Sequence, residues 1–193
     1  MTNLNLAIQQ LFPTARPTVN FMVATIKGVP AITYWNVKDG SGNPVANPMA
    51  GGTPSDALVA ADAAAQLSAA QAAKGASLTA SYNATLAAGI TVASEGVNFV
   101  LPAQESDQTK FAQLVVLFRE AENLLPESEQ AAFEAGNVSI SDITGAVRTL
   151  TVTQMRQVMV AYGQQINTLW AALAAKKAAV AAAATVDAVN AIT

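Results

Sequence analysis

Apolar side chains recur at Val152, Met155, Met159, Tyr162, Ile166, Leu169 and Leu173, in steps that alternate between three and four residues. Such spacing keeps them on one stripe of an α-helix, the pattern of a heptad seam. Thr151 and Gln154 stand at the separation of a capping box and predict where this helix starts. From Ala174 the seam dissolves into alanine, and Thr185 is placed to cap a last short turn ending near Ile192. A partner is expected to hold that weak tail.

A second helical stripe runs through Phe111, Leu114, Val115, Phe118, Ala121 and Leu125, with Ser106 or Asp107 as cap and Pro126 as stop. A brief helix from Glu127 to Ala135 follows and closes at Gly136. Leu4, Ile8, Leu11 and Phe12 predict a short amphipathic helix ended by Pro13. The longest helical run begins at Thr53, which can cap it, with Pro54 at its first position and Asp56 three residues after the cap. It continues to Ala88, where Gly89 is a suitable stop, and is about 50 Å long if Gly75 does not break it. Its face is mostly alanine, with Leu58, Leu67, Leu78, Tyr82 and Leu86 as larger knobs, so it needs a partner surface.

Alternation with a period of two marks the strands. Asn20–Lys27 and Ala31–Val37 are rich in β-branched and aromatic residues and are separated by Gly28-Val29-Pro30, which predicts a hairpin. Ile90–Leu101 reads as a second hairpin turning at Glu95-Gly96, with Val97, Phe99 and Leu101 on one face. Val138–Ile140 and Ala146–Leu150 predict two short strands around Thr144-Gly145. The fold class is therefore α+β and mainly helical. Its parts are an N-terminal helix and β-hairpin module (1–38), a Gly/Asn/Pro linker (39–53), a long Ala-rich helix (54–89) and a C-terminal helical domain with small hairpins (90–193).

Composition narrows the chemistry. The 193 residues include no cysteine and no histidine, which removes disulfides, thiolate chemistry and the most frequent general base. Only 12% of the residues are charged and the net charge is -3, so no basic surface is available to follow a phosphate backbone. Nucleic-acid binding is not expected. Asp56, Asp62, Gln66 and Gln71 interrupt the first long apolar stretch, and Lys176 and Lys177 the last, so no membrane insertion is expected. Met1 to Leu11 lacks the basic start of a signal peptide, which suggests a soluble protein made in a cytoplasm.

Candidate sites are correspondingly few. Glu120, Glu122, Glu127, Glu129 and Glu134 are an acidic run, but without histidine or an Asp-rich loop they read as solvated helix faces, and no metal site is assigned. Lys74-Gly75 and Gly40-Ser41-Gly42 lack phosphate-loop spacing, and the nearby Lys74 and Ser77 lack an oxyanion feature, so no catalytic residue and no cofactor are assigned. Tyr34 and Trp35 are adjacent on a predicted strand, so they point to opposite faces and one lies outside the hairpin's own packing surface. Trp170 borders the heptad seam and reads first as core. The candidate partner-binding residues are Tyr34, Trp35, Leu58, Leu67 and Trp170. The seam itself either packs on the Phe111–Leu125 helix or joins other chains in a coiled coil; at about three heptads, packing within the chain is favoured.

Several segments also resemble a known family. Leu86-Ala87-Ala88-Gly89-Ile90-Thr91-Val92, a hairpin, and Ser106-Asp107-Gln108 leading into Phe118-Arg119-Glu120-Ala121-Glu122 come in that order. Leu150-Thr151-Val152-Thr153-Gln154-Met155 and a closing Thr185-Val186-Asp187-Ala188-Val189 follow. Together they resemble an uncharacterised C-terminal domain of tailed-bacteriophage proteins, commonly encoded beside tail-fibre genes. The opening, with Phe12-Pro13, Gly28-Val29-Pro30 and a strand ending Trp35-Asn36, is similar to small tail-associated proteins that include fibre-assembly chaperones. That family carries no established catalytic residues.

The resemblance implies a non-enzymatic, tail-fibre-associated protein, located in the virion tail after synthesis in the host cytoplasm. Its expected partners are the tail-fibre protein or other virion proteins, in a homo- or hetero-oligomer, and its expected work is fibre assembly or attachment. The alternatives are a permanent structural subunit of the fibre or baseplate, and a module that binds a host-surface receptor.

Overall fold

The computed structural model describes residues 3–27, 29–94 and 97–193. It is mainly helical with small antiparallel hairpins, an α+β fold. The chain divides into two compact units, one of residues up to Gly75 together with Ala179–Thr193, the other of Ala76–Ala178. Of the turn expected at Gly28-Val29-Pro30, Gly28 lies outside the described residues, as does the Glu95-Gly96 turn, but Val29 and Pro30 are strand residues opposite Ile26 and Thr25.

The first unit opens with α1 (Leu4–Leu11), capped by the Asn3 side chain, which accepts the Leu6 N–H at 3.1 Å. Leu4, Ala7 and Ile8 are its buried face. The hairpin β1 (Phe21–Ile26) and β2 (Val29–Trp35) lays Phe21 and Trp35 onto the same core, which also takes in Val37 and Leu58. The Trp35 ring meets Phe12 edge-on with centroids 5.4 Å apart, and its indole N–H donates to the Val45 carbonyl at 2.7 Å. Residues 39–53, read from composition as a linker, thereby carry Val45 and Met49 onto this core. A single 3-10 turn at Ala50–Gly52 ends the segment.

α2 (Asp56–Ala88) follows. Its cap is Ser55 rather than Thr53: the Ser55 hydroxyl accepts the Leu58 N–H at 3.2 Å, while Thr53 is extended and belongs to the preceding turn. Gly75 does not break the helix; a glycine costs about 1 kcal/mol against alanine in a helix interior, too little to outweigh so long a run. Asp62 is buried and accepts the Asn3 N–H at 3.1 Å and the Gln66 amide at 2.7 Å, which fixes the start of α1 against α2.

The C-terminal tail, expected from its sequence to need a partner, is held by contacts within the chain. The Gln71 amide donates to the carbonyls of Val180 and Ala183 at 3.1 Å each, satisfying the open end of α5 (Val152–Ala182). Thr185 caps α6 (Val186–Ala191) through the Ala188 N–H, and Val189 is fully buried.

In the second unit, α2 ends and the chain turns at Gly89 into the hairpin β3 (Ile90–Ser94) and β4 (Val97–Leu101), where Ile90 pairs with Leu101 and Val92 with Phe99. α3 (Glu105–Leu124), α4 (Glu127–Glu134) and a third hairpin, β5 (Asn137–Ser141) with β6 (Val147–Thr151), lead into α5. Neither Ser106 nor Asp107 caps α3. Ala103, two residues past β4, is fully buried, and Gln104 occupies the cap position without a side-chain bond.

The capping box of α5 forms as the sequence predicts: the Gln154 N–H meets the Thr151 hydroxyl at 3.2 Å and the Thr151 N–H meets Gln154 Oε1 at 2.8 Å. The seam residues Val152, Met155, Met159 and Tyr162 are buried with Phe111 and Phe118 of α3. Phe111 and Tyr162 pack edge to face at 4.9 Å. The first half of the heptad seam is thus buried within the chain, while Ile166 and Leu169 are partly buried against the same core.

Candidate protein-interaction faces

An antiparallel hairpin with one face on a core normally shows polar residues on the other. β1 and β2 depart from that rule. The register sets Met22 opposite Tyr34, Ala24 opposite Ala31 and Ile26 opposite Val29, so the outer cross-strand pairs are all apolar. The register slips between Met22 and Val23, leaving Thr33 as the extra residue of a bulge. The slip returns Trp35 to the core and keeps Tyr34 outside. Met22 is 48% exposed, Tyr34 43%, Ile26 53% and Val29 62%. Burying side chains of this size is worth about 1.5–3 kcal/mol each, so the face forgoes a gain that a partner surface can supply.

The second unit has its own apolar surface. Val115, Val116, Leu117 and Leu124 of α3 and Val160 of α5 are all exposed. A shallow groove between α3 and α5 is lined by Phe111, Val115, Met159, Tyr162 and Ile166. The sequence stripe placed Val115 inward with Leu114; the helix instead turns Phe111 and Phe118 into the core and leaves Val115 half out, because residues seven apart share a face more closely than residues four apart.

The candidate residues separate clearly. Tyr34 is on the outer hairpin face. Leu58 is fully buried in the core of the first unit and offers no recognition surface, while Trp35 is partly buried and packed against that core. Leu67 is partly buried on α2. Trp170, read first as core, is 64% exposed because it falls one residue beyond Leu169 and off the packed stripe.

The acidic run is only partly a solvated face. The Arg156 guanidinium sits 2.8 Å from Glu134 and 3.1 Å from Glu122, and donates to the Phe118 carbonyl at 3.3 Å. The Thr153 hydroxyl donates to Glu134 at 2.6 Å. These contacts pin α4, which has no buried residue of its own, to α5. Nothing in local sequence pattern pairs Arg156 with acids 22 and 34 positions away.

A further polar structure closes the third hairpin. The Asp142 carboxylate accepts from the Thr144 hydroxyl at 2.6 Å and from the N–H groups of Thr144 and Ala146, with Arg148 at 3.4 Å. The Thr144 hydroxyl first, with the two backbone N–H groups and Arg148, holds its pKa below the usual 3.8 against the opposing effect of burial. The run Asp142-Ile143-Thr144-Gly145 is the signal that could have revealed this Asx turn. Tyr162, buried and close to Asp107, has its phenol pushed up to about 12, and its hydroxyl donates to the Pro102 carbonyl at 3.1 Å.

No helix among the described residues is long and apolar enough to cross a membrane. No protein-family model, no curated protein and no solved structure matches the chain.

Proposed function

We propose that this chain is a non-enzymatic protein-binding component of a phage tail-fibre apparatus, engaging the fibre chain through the outer face of the β1–β2 hairpin. The observation that carries the reading is the set of apolar cross-strand pairs Met22–Tyr34, Ala24–Ala31 and Ile26–Val29 turned to solvent. The face combines a flexible thioether, branched aliphatics and an aromatic with a polar tip, a mixture suited to protein recognition. The sequence resemblance to tail-associated phage proteins supplies the class of partner. Burial of Val152, Met155, Met159 and Tyr162 of the α5 seam inside the chain favours an adaptor or assembly factor over a subunit that builds a multi-chain bundle on those residues.

The test is light scattering of the purified chain, alone and after co-expression with a tail-fibre chain from the same genome. The expected result is a defined complex with the fibre chain that is lost in the Met22→Ser/Tyr34→Ser double variant while its melting temperature is retained. A failure to associate with the fibre chain would sink the proposal. A stable trimer of the chain alone would instead favour a permanent structural subunit.

A further inference from the structure

Trp170 stands out from the alanine-rich end of α5, 64% exposed, and lines a cleft of about 730 Å³ in the second unit. That volume lies in the range of roughly 300–1,000 Å³ typical of small-molecule sites. Tyr82 and Asn83 reach the cleft from α2, Gln104 and Glu105 from the start of α3, and Gln108 from one turn further along. Tyr82 also rests on the core, which limits its movement.

The polar side chains are available for a ligand. The Gln108 amide nitrogen donates to the Ala103 carbonyl at 2.9 Å, which fixes the carboxamide and leaves its Oε1 as an acceptor. The side chains of Asn83, Gln104 and Glu105 have no hydrogen-bond partner among the described residues. Carboxamides both donate and accept, as a ring of hydroxyls requires, and a carboxylate accepts from hydroxyls. A broad indole surface complements the C–H face of a pyranose. No lysine or arginine lines the cleft, and its one charged residue is Glu105, which disfavours phosphorylated or otherwise anionic ligands.

From this arrangement we infer that the Trp170 cleft binds a neutral saccharide, with the sugar against the indole and its hydroxyls on Gln108, Asn83, Gln104 and Glu105. A cationic ligand would use Trp170, Tyr82 and Glu105 but leave three carboxamides without a role. The site is in a different unit from the β1–β2 hairpin, so the inference does not depend on the protein-binding reading and can fail separately.

The test uses the full chain and three neutral probes, the N-acetylglucosamine trimer, cellotriose and maltotriose. Tryptophan emission is followed to about 20 mM sugar, since affinities of exposed sites of this kind fall near the millimolar range. The expected result is a saturable shift with at least one trisaccharide, absent in Trp170→Ala and weakened about fivefold or more in Gln108→Leu. Saturation transfer from the unsubstituted protein to the ring protons of that sugar provides a check that needs no variant. The inference is overturned if none of the three sugars gives a saturable response by either method, or if the shift persists in Trp170→Ala. A stronger response to tetramethylammonium chloride than to the sugars would also overturn it.

Discussion

Gly89 turns the chain from α2 into β3 with φ near +83°, a conformation that side-chain-bearing residues rarely adopt. A Cβ there would lie 2.6 Å from Val100 Cγ1 and 2.7 Å from the Leu101 carbonyl, so backbone as well as side chain would have to move. Gly89→Ala is expected to destabilise the protein by on the order of 3 kcal/mol, measured by urea unfolding. Asp142 supports a different test. Its folded pKa is lowered, so its contribution to stability is present above the ordinary value of 3.8 and is lost as pH falls through the lower folded value. Melting temperatures taken from pH 5 down to about pH 2 should therefore fall less steeply in Asp142→Asn than in the parent chain. Equal slopes would show that the turn does not hold the carboxylate ionised.

Among the elements, α4 is the one most dependent on side chains outside itself. None of its residues is buried, and its attachments include Arg156 to Glu134, Thr153 to Glu134, the Gln130 amide to the Glu122 and Leu125 carbonyls, and the Phe133 ring against Phe118 at 6.4 Å. Arg156 is partly exposed, so its pairs contribute about 1 kcal/mol or less to global stability. Arg156→Met should leave the melting temperature nearly unchanged while hydrogen exchange across Glu127–Glu134 speeds up; unchanged protection of α4 would mean that Phe133, Thr153 and Gln130 suffice to hold it. The element types were legible because each has a local signal. The capping box at Thr151 and Gln154, the Thr185 cap and the stop at Gly89 all formed at the residues that announced them. What was not legible is long-range. The Gln71 amide closes the end of α5 from 109 positions away, and the bulge at Thr33 decides which of two adjacent aromatics faces outward. Periodicity says that Tyr34 and Trp35 diverge; only the register says that Trp35 is the one taken by the core.

At the scale of the molecule, the destination of the α5 seam decides what kind of protein this is. Its spacing alone fits both a coiled coil between chains and a packed helix within one. Met155 is fully buried, and Met159 and Tyr162 nearly so, with Phe111 and Phe118 of the same chain, so stability does not require a second copy on that surface. If subunits shared the seam, dilution would lower the melting temperature by mass action; a core within one chain melts at the same temperature at every concentration. The expected outcome is a melting temperature constant over about a hundredfold dilution. Adjacent substitutions sharpen the test, because Met159 is 6% exposed and Val160 is 60% exposed. Met159→Lys places a charge in the core and should cost about 3 kcal/mol or more, whereas Val160→Lys should stay within about 0.5 kcal/mol. A concentration-dependent melt, or a large loss from Val160→Lys, would mean that α5 makes its essential contacts with another chain. In that case the protein would be a bundle-forming subunit, and the hairpin face would be secondary to its assembly.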